Sequence, residues 1–319
     1  MRVFIAGATG VLGRGLIKEL KKRGHKVLAL ARNPENAAII ENLGAVPRRG
    51  EIFDRDSMAR AADGSQVVIH AATSIPTKAK ISPRDWGLND LLRREGTKNL
   101  AQAAGIIGAK TFLFQSVAWL AQPSDGSFFD ETAVPNPNPV TQSALDGENI
   151  ANEIGQKYNL NVGILRCGYF YGEESAQTKM LVEGLRRRRV PVVGDGAALW
   201  SNLHIEDAAR AFAAAAEIHA GGLWNIVDDE PCSVKDFLRY FAENLGVRKP
   251  FRVPVWLAKL FVDPYLLKYF TVSMNTSNAL AKCKLGWQPK YANYRDGINQ
   301  IVSLSQQSEN VFGLVKQTN

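Results

Sequence analysis

Residues 3–13 read Val-Phe-Ile-Ala-Gly-Ala-Thr-Gly-Val-Leu-Gly. The apolar run Val3–Ala6 suits a short buried parallel strand. After Gly7, Gly10 and Gly13, the side chains of Leu12, Leu16, Ile17 and Leu20 recur at helical spacing, which predicts a helix over about Val11–Lys22. Each glycine then answers a steric demand. Gly7 permits the tight turn out of the strand, Gly10 lets the backbone approach a pyrophosphate, and Gly13 lets the helix pack against the sheet. The amides and the positive dipole end of the helix face the phosphates. A glycine triplet alone is a weak signal, but strand, loop and amphipathic helix in this order predict a dinucleotide site. Its first contacts are Gly7, Thr9, Gly10, Val11, Leu12 and Gly13.

The second strand, Lys26–Ala31, decides which dinucleotide. A carboxylate at its end would accept from a ribose 2′-hydroxyl. This chain has Arg32-Asn33 there instead. A guanidinium meets a 2′-phosphate through charge-assisted hydrogen bonds, so NADP(H) is expected rather than NAD(H). Arg14, just past the loop, is a second cation in reach.

Strand and helix signals alternate over the first two-thirds of the chain. Strands are predicted near 45–50, 66–71, 111–115 and 162–166, and helices near 34–43, 55–62, 86–104 and 143–158. Such alternation means an α/β fold, a doubly wound parallel sheet of Rossmann type with helices on both faces. The remainder is mixed. The expected division is a dinucleotide-binding domain over 1–166, a smaller and mainly substrate-binding part over 167–303 that returns some elements to the core, and a polar tail over 304–319.

Composition excludes several classes. No run of eighteen apolar residues exists, so no transmembrane helix is expected. Met1 leads straight into the first strand, so no secretory leader is expected. Cys167, Cys232 and Cys283 are odd in number and widely spaced; they fit a reducing cytoplasm and offer no metal pattern. The net charge of +8 is spread over helical faces, with one dense run at Arg186–Arg189. No aromatic interleaving accompanies that run, so a solvated helix end is expected and nucleic acid is not.

Further fragments fall in a familiar order: Gly50-Glu51-Ile52, His70-Ala71-Ala72-Thr73, Gly96-Thr97-Lys98-Asn99-Leu100, Leu165-Arg166-Cys167-Gly168-Tyr169-Phe170-Tyr171-Gly172, Leu203-His204-Ile205-Glu206-Asp207-Ala208-Ala209 and Leu285-Gly286-Trp287-Gln288-Pro289. Over about residues 1–300 the chain resembles the extended short-chain dehydrogenase/reductases of the NAD-dependent epimerase/dehydratase type. The resemblance implies cofactor contacts at Glu51 and Ile52 near the adenine, at Ala71, Ala72 and Thr73, at Gln115, and at Cys167 and Phe170 beside the nicotinamide. It also allows a homodimer built on paired helices.

Active members use a Tyr four residues before a Lys as acid and base, with a Ser polarising the substrate. Laying the helix that carries Glu148 on that pattern puts Val140 at the Tyr position and Ala144 at the Lys position, and no Tyr-x-x-x-Lys occurs between Ser116 and Arg166. The chain thus resembles an atypical branch that lacks the pair. Ser116 and Tyr169 are the candidate catalytic side chains, and Trp86, Ser116 and Trp200 the candidate substrate contacts. Trp200 stands where sugar-nucleotide members carry a diphosphate-clamping Arg, which points to a small, largely apolar substrate. The segment Pro254–Phe261 reads as an amphipathic cap over the pocket, a dimer face or a membrane-contacting stretch. Three readings follow: an NADP(H)-dependent reductase or dehydrogenase with a non-standard proton donor, a non-redox isomerase, lyase or cyclase with a structural cofactor, and a non-catalytic NADP(H)-binding sensor or assembly factor.

Overall fold

The computed structural model describes residues 1–76, 81–262 and 264–304. Seven parallel strands form its central sheet: β1 (Arg2–Ala6), β2 (Lys26–Ala31), β3 (Val46–Arg49), β4 (Val67–His70), β5 (Thr111–Val117), β6 (Asn161–Cys167) and β7 (Gly222–Ile226). Their order is β7-β6-β5-β4-β1-β2-β3. Alternation along each strand explains the two layers of helices. Val3, Ile5, Val67, Ile69 and Leu113 enter one core with the helices Val11–Lys22, Ile205–Glu217 and Ala279–Leu285. Phe4, Val68, Phe112 and Phe114 enter the other with Arg55–Ala62, Thr97–Ile106 and Gln142–Tyr158.

The chain winds outward from β1 through β2 to β3, then returns to the other side of β1 and winds through β4, β5 and β6 to β7. The direction therefore reverses between β1 and β4. Crossover helices diverge there and leave a crevice at the carboxyl ends of the strands, which is where ligands bind in such sheets.

Past β6 the chain builds a smaller lobe of short strand pairs, Tyr169–Tyr171 with Asn202–His204, Val192–Val193 with Arg252–Val253, and Leu199–Trp200 with Cys232–Ser233. Its core holds Tyr169, Tyr171, Trp200, Phe237, Phe241 and Tyr294. Beyond residue 304 the expected tail lies outside the described residues.

One element departs from expectation. The single helix predicted over 86–104 is a 3₁₀ turn (Pro83–Trp86), an α-helical segment (Gly87–Leu91), a π-helical turn (Leu92–Gly96) and a second α-helical segment (Thr97–Ile106). Apolar periodicity does not report such a slip in hydrogen bonding, which rotates the helix face on either side of it.

Candidate functional site

The glycine loop leaves no room for side chains. Gly7 has φ +92°, and a Cβ on it would lie 2.5 Å from the carbonyl carbon of Ala71 and the amide of Ala72. A Cβ on Gly13 would lie 2.1 Å from the Gly7 carbonyl oxygen. Thr9 is held by its own carbonyl, which accepts from Arg14 Nε at 2.9 Å. Gly10 is the N-cap of helix Val11–Lys22 and gives it no side-chain cap, and no acidic residue stands in the first turn. By contrast Asn33, Asp54, Ser175, His204 and Ser233 cap their helices with side chains. The amides of Val11, Leu12 and Gly13 thus keep their hydrogen-bonding capacity for an external acceptor. This cradle fits a dinucleotide pyrophosphate.

Arg32 is exposed at the end of β2 and has no ion pair or hydrogen bond among the described residues. Asn33 Oδ1 accepts from the Asn36 amide at 2.9 Å, and its amide nitrogen is left for a ligand. Glu51 is exposed past β3, while Ile52 is buried in the core. At the end of β4, Ala71 and Ala72 are pinned by backbone donation to Ala6 O and His70 Nδ1, and Thr73 is exposed. The parallel sheet brings Gly7–Gly13, Ala71–Thr73, Gln115 and Cys167 to one edge, since all lie at or just beyond the carboxyl ends of neighbouring strands.

His70 is sealed in this edge, donating from Nε2 to Leu92 O at 3.1 Å. Burial pushes its pKa down to about 4, with the Arg93 charge adding to the effect. The imidazole is therefore neutral in the folded protein, whereas the unfolded chain takes up a proton near pH 6.5. The contribution of His70 is complete above that value and is lost as the pH falls towards 4. The stability gap between the parent and His70→Gln should narrow by about 3 kcal/mol between pH 7 and 4, read from denaturant melts. A gap independent of pH would contradict a buried neutral His70.

Both catalytic candidates, Ser116 and Tyr169, are buried. Ser116 is fully buried. It lies on the same face of β5 as Phe112 and Phe114, turned to helix Gln142–Tyr158, and its hydroxyl donates to Glu148 Oε1 at 2.5 Å. Glu148 also takes a bidentate bond from Arg166, at 2.9 Å from Nε and 2.7 Å from Nη2. Ser116 belongs to this buried structural network. Tyr169 packs against Tyr269, Trp119 and Trp200 at centroid distances of 4.2, 5.1 and 5.7 Å. Among the described residues no cation acts on it, and burial raises its pKa well above the ordinary value, the reverse of what a proton donor needs. Its hydroxyl nonetheless has no hydrogen-bond partner among the described residues, so it remains a donor for a polar ligand atom.

Trp200 is 4% exposed and donates its indole N–H to Tyr269 O at 2.8 Å, which makes it a wall of the smaller lobe's core and not an open contact. Trp86 is half-buried at the end of its 3₁₀ turn, and Phe170 is half-buried against the sheet core. Cys167 is buried, and burial pushes its thiol up, so it is inert. The predicted cap fails as a lining, because Trp256, Leu260 and Phe261 are 68%, 69% and 78% exposed.

Val140 is half-buried and Ala144 fully buried. The sequence reading missed the charge nearest to them. Arg93, buried on the π-helical turn, donates from Nη1 to Val140 O at 3.3 Å and to Ser143 Oγ at 3.4 Å. The signal was available: Asn89, Arg93 and Thr97 recur every four residues, a polar stripe on a helix that packs against another.

The sequence model of the NAD dependent epimerase/dehydratase family matches residues 3–226. The chain is 30% identical over 307 residues to a 3-diazoavenalumate denitrifying reductase of Streptomyces sp., covering 94% of this chain and all of the relative. It is 26% identical over 257 residues to a 4-hydroxy-2-methyl-3-oxo-4-farnesyl-3,4-dihydroquinoline-1-oxide ketoreductase of Stigmatella aurantiaca, covering 78% of this chain and 74% of that one. The crystal structure of the human epimerase family protein SDR39U1 with NADPH shares the fold, with TM-score 0.80 and 18% identity over 95% of this chain and 99% of that one. No helix of the described residues is long and apolar enough to cross a membrane. With the family match spanning the whole sheet from its first strand to its last, the chain belongs to the NAD dependent epimerase/dehydratase family.

Proposed function

We propose that this chain binds NADP(H) across the crevice between β1 and β4 and reduces a small, largely apolar organic molecule. The observation that carries the reading is the start of helix Val11–Lys22 over Gly10, which has no side-chain cap and no acidic residue in its first turn and follows directly on the glycine loop. Val11, Leu12 and Gly13 amides hold the pyrophosphate, and Arg32 takes the 2′-phosphate. Both named relatives above are reductases, which supports a redox role over a structural cofactor. When bound, the nicotinamide supplies the hydride. The protein's part is to orient it, exclude water and offer hydrogen bonds to the acceptor. Tyr169 and Tyr269, stacked on Trp119 and Trp200, give the substrate an aromatic wall. The Tyr169 hydroxyl serves there as a hydrogen-bond donor, and the transferred proton comes from solvent or the substrate.

Arg32→Ala should weaken NADPH binding by about ten- to a hundredfold, the loss of a charge-assisted contact, and leave NADH within about twofold. Equal losses for both, or none, would sink the 2′-phosphate assignment.

A further inference from the structure

Half of the buried, unpartnered side-chain atoms among the described residues lie on one short stretch: Asn89 Nδ2, Asp90 Oδ1, Arg93 Nε and Thr97 Oγ1. Asn89, Arg93 and Thr97 are 0%, 4% and 0% exposed. A polar atom removed from water without a partner is costly, and four on one helix face mark a place where an outside group completes the bonding. The π-helical turn at Leu92–Gly96 is itself a feature that concentrates at functional sites.

The surroundings say which group. Asn89 Oδ1 accepts from the Ser74 amide at 3.0 Å, tying the stripe to the loop that leaves β4. Arg93 Nη1 reaches Val140 O and Ser143 Oγ at the start of helix Gln142–Tyr158. Ser143 is fully buried, and its own proton has no acceptor among the described residues. Of the two carboxylates whose charge acts on Arg93, Asp90 makes no hydrogen bond to it and Glu148 is already held by Arg166 and Ser116. Burial lowers the Arg93 pKa only to about 10, so the guanidinium is charged at neutral pH. On the NADP(H) reading the dinucleotide lies across the crevice. Its adenosine half goes to the β2 side, where Arg32 stands, and its other half extends over β4 and β5, where this stripe begins.

We infer that Arg93 and Ser143 form an anchoring site for the oxygen-bearing nicotinamide half of the cofactor, its ribose hydroxyls and carboxamide. The site draws its cation, Arg93, from the helix that follows β4 and its hydroxyl, Ser143, from the helix that follows β5. The inference rests on the NADP(H) reading above.

The test is calorimetric titration of the full chain with two probes, NADPH and adenosine 2′,5′-bisphosphate, which has the adenosine half alone. Arg93→Met should weaken NADPH by about tenfold and leave the bisphosphate within about twofold, with Arg93→Lys recovering part of the loss. Should Arg93→Met lose its melting transition, Ser143→Ala carries the test, with an expected loss of about threefold or more for NADPH alone. Unchanged NADPH affinity, or equal losses for both probes, overturns the inference while the cofactor reading stands. Failure of the parent protein to bind either probe overturns that reading itself.

Discussion

Gly13→Ala is expected to abolish dinucleotide binding, with a loss of affinity of at least about a hundredfold. The new methyl would sit 2.1 Å from Gly7 O and 2.6 Å and 2.7 Å from two backbone atoms of Ala8. None of these is the end of a flexible side chain, so the helix must move away from the loop. That movement opens the three-amide cradle and removes the pyrophosphate site. The overpacked contact should also cost about 1–3 kcal/mol of stability, a fall of several degrees in Tm. Gly87→Ala is the matched control. It lies in a helix with nothing within 4 Å of the added Cβ, and should leave binding unchanged. A Gly13→Ala protein that binds NADPH like the parent would show that the loop is a turn and not a cradle.

Glu148→Ala should be the most destabilising of the single substitutions considered. It removes what is, among the described residues, the only carboxylate bonded to Arg166, whose side chain is 3% exposed, and strands the Ser116 hydroxyl as well. A buried charge left without its partner costs about 3–5 kcal/mol. The double variant Glu148→Leu with Arg166→Met removes both charges and should recover most of that loss, because a well-packed apolar pair avoids desolvating either ion. Denaturant melts of the three proteins give the answer. A loss below about 1 kcal/mol for Glu148→Ala would mean the pair is solvated after all.

The sheet was legible because its strands obey a strict rule. Side chains of β1 and β4 alternate between two apolar faces, so runs such as Val3–Ala6 and Val67–His70 can only be buried strands. The loop was legible because three glycines between strand and helix have few other uses. The catalytic candidates were less so. Ser116 lies at the right end of its strand, but the face it takes is set by phase with Phe112 and Phe114, and that phase sends it to Glu148. Tyr169 follows the right strand, yet whether a phenol is an acid depends on its neighbours, which are aromatic rings and not cations. Trp256–Phe261 has the apolar content of a lining segment, and only the tertiary structure shows three of its rings and chains turned to solvent. Arg93 escaped notice because arginines are read as surface residues. Its burial follows from a π-helical turn that no apolar period announces.

The most direct test of the account is a fluorescence titration of the purified protein with NADPH and with NADH, following nicotinamide emission and tryptophan quenching. The account predicts saturable binding of NADPH, with NADH about ten- to a hundredfold weaker. Binding of neither would contradict it, and would leave the glycine loop as scaffold alone.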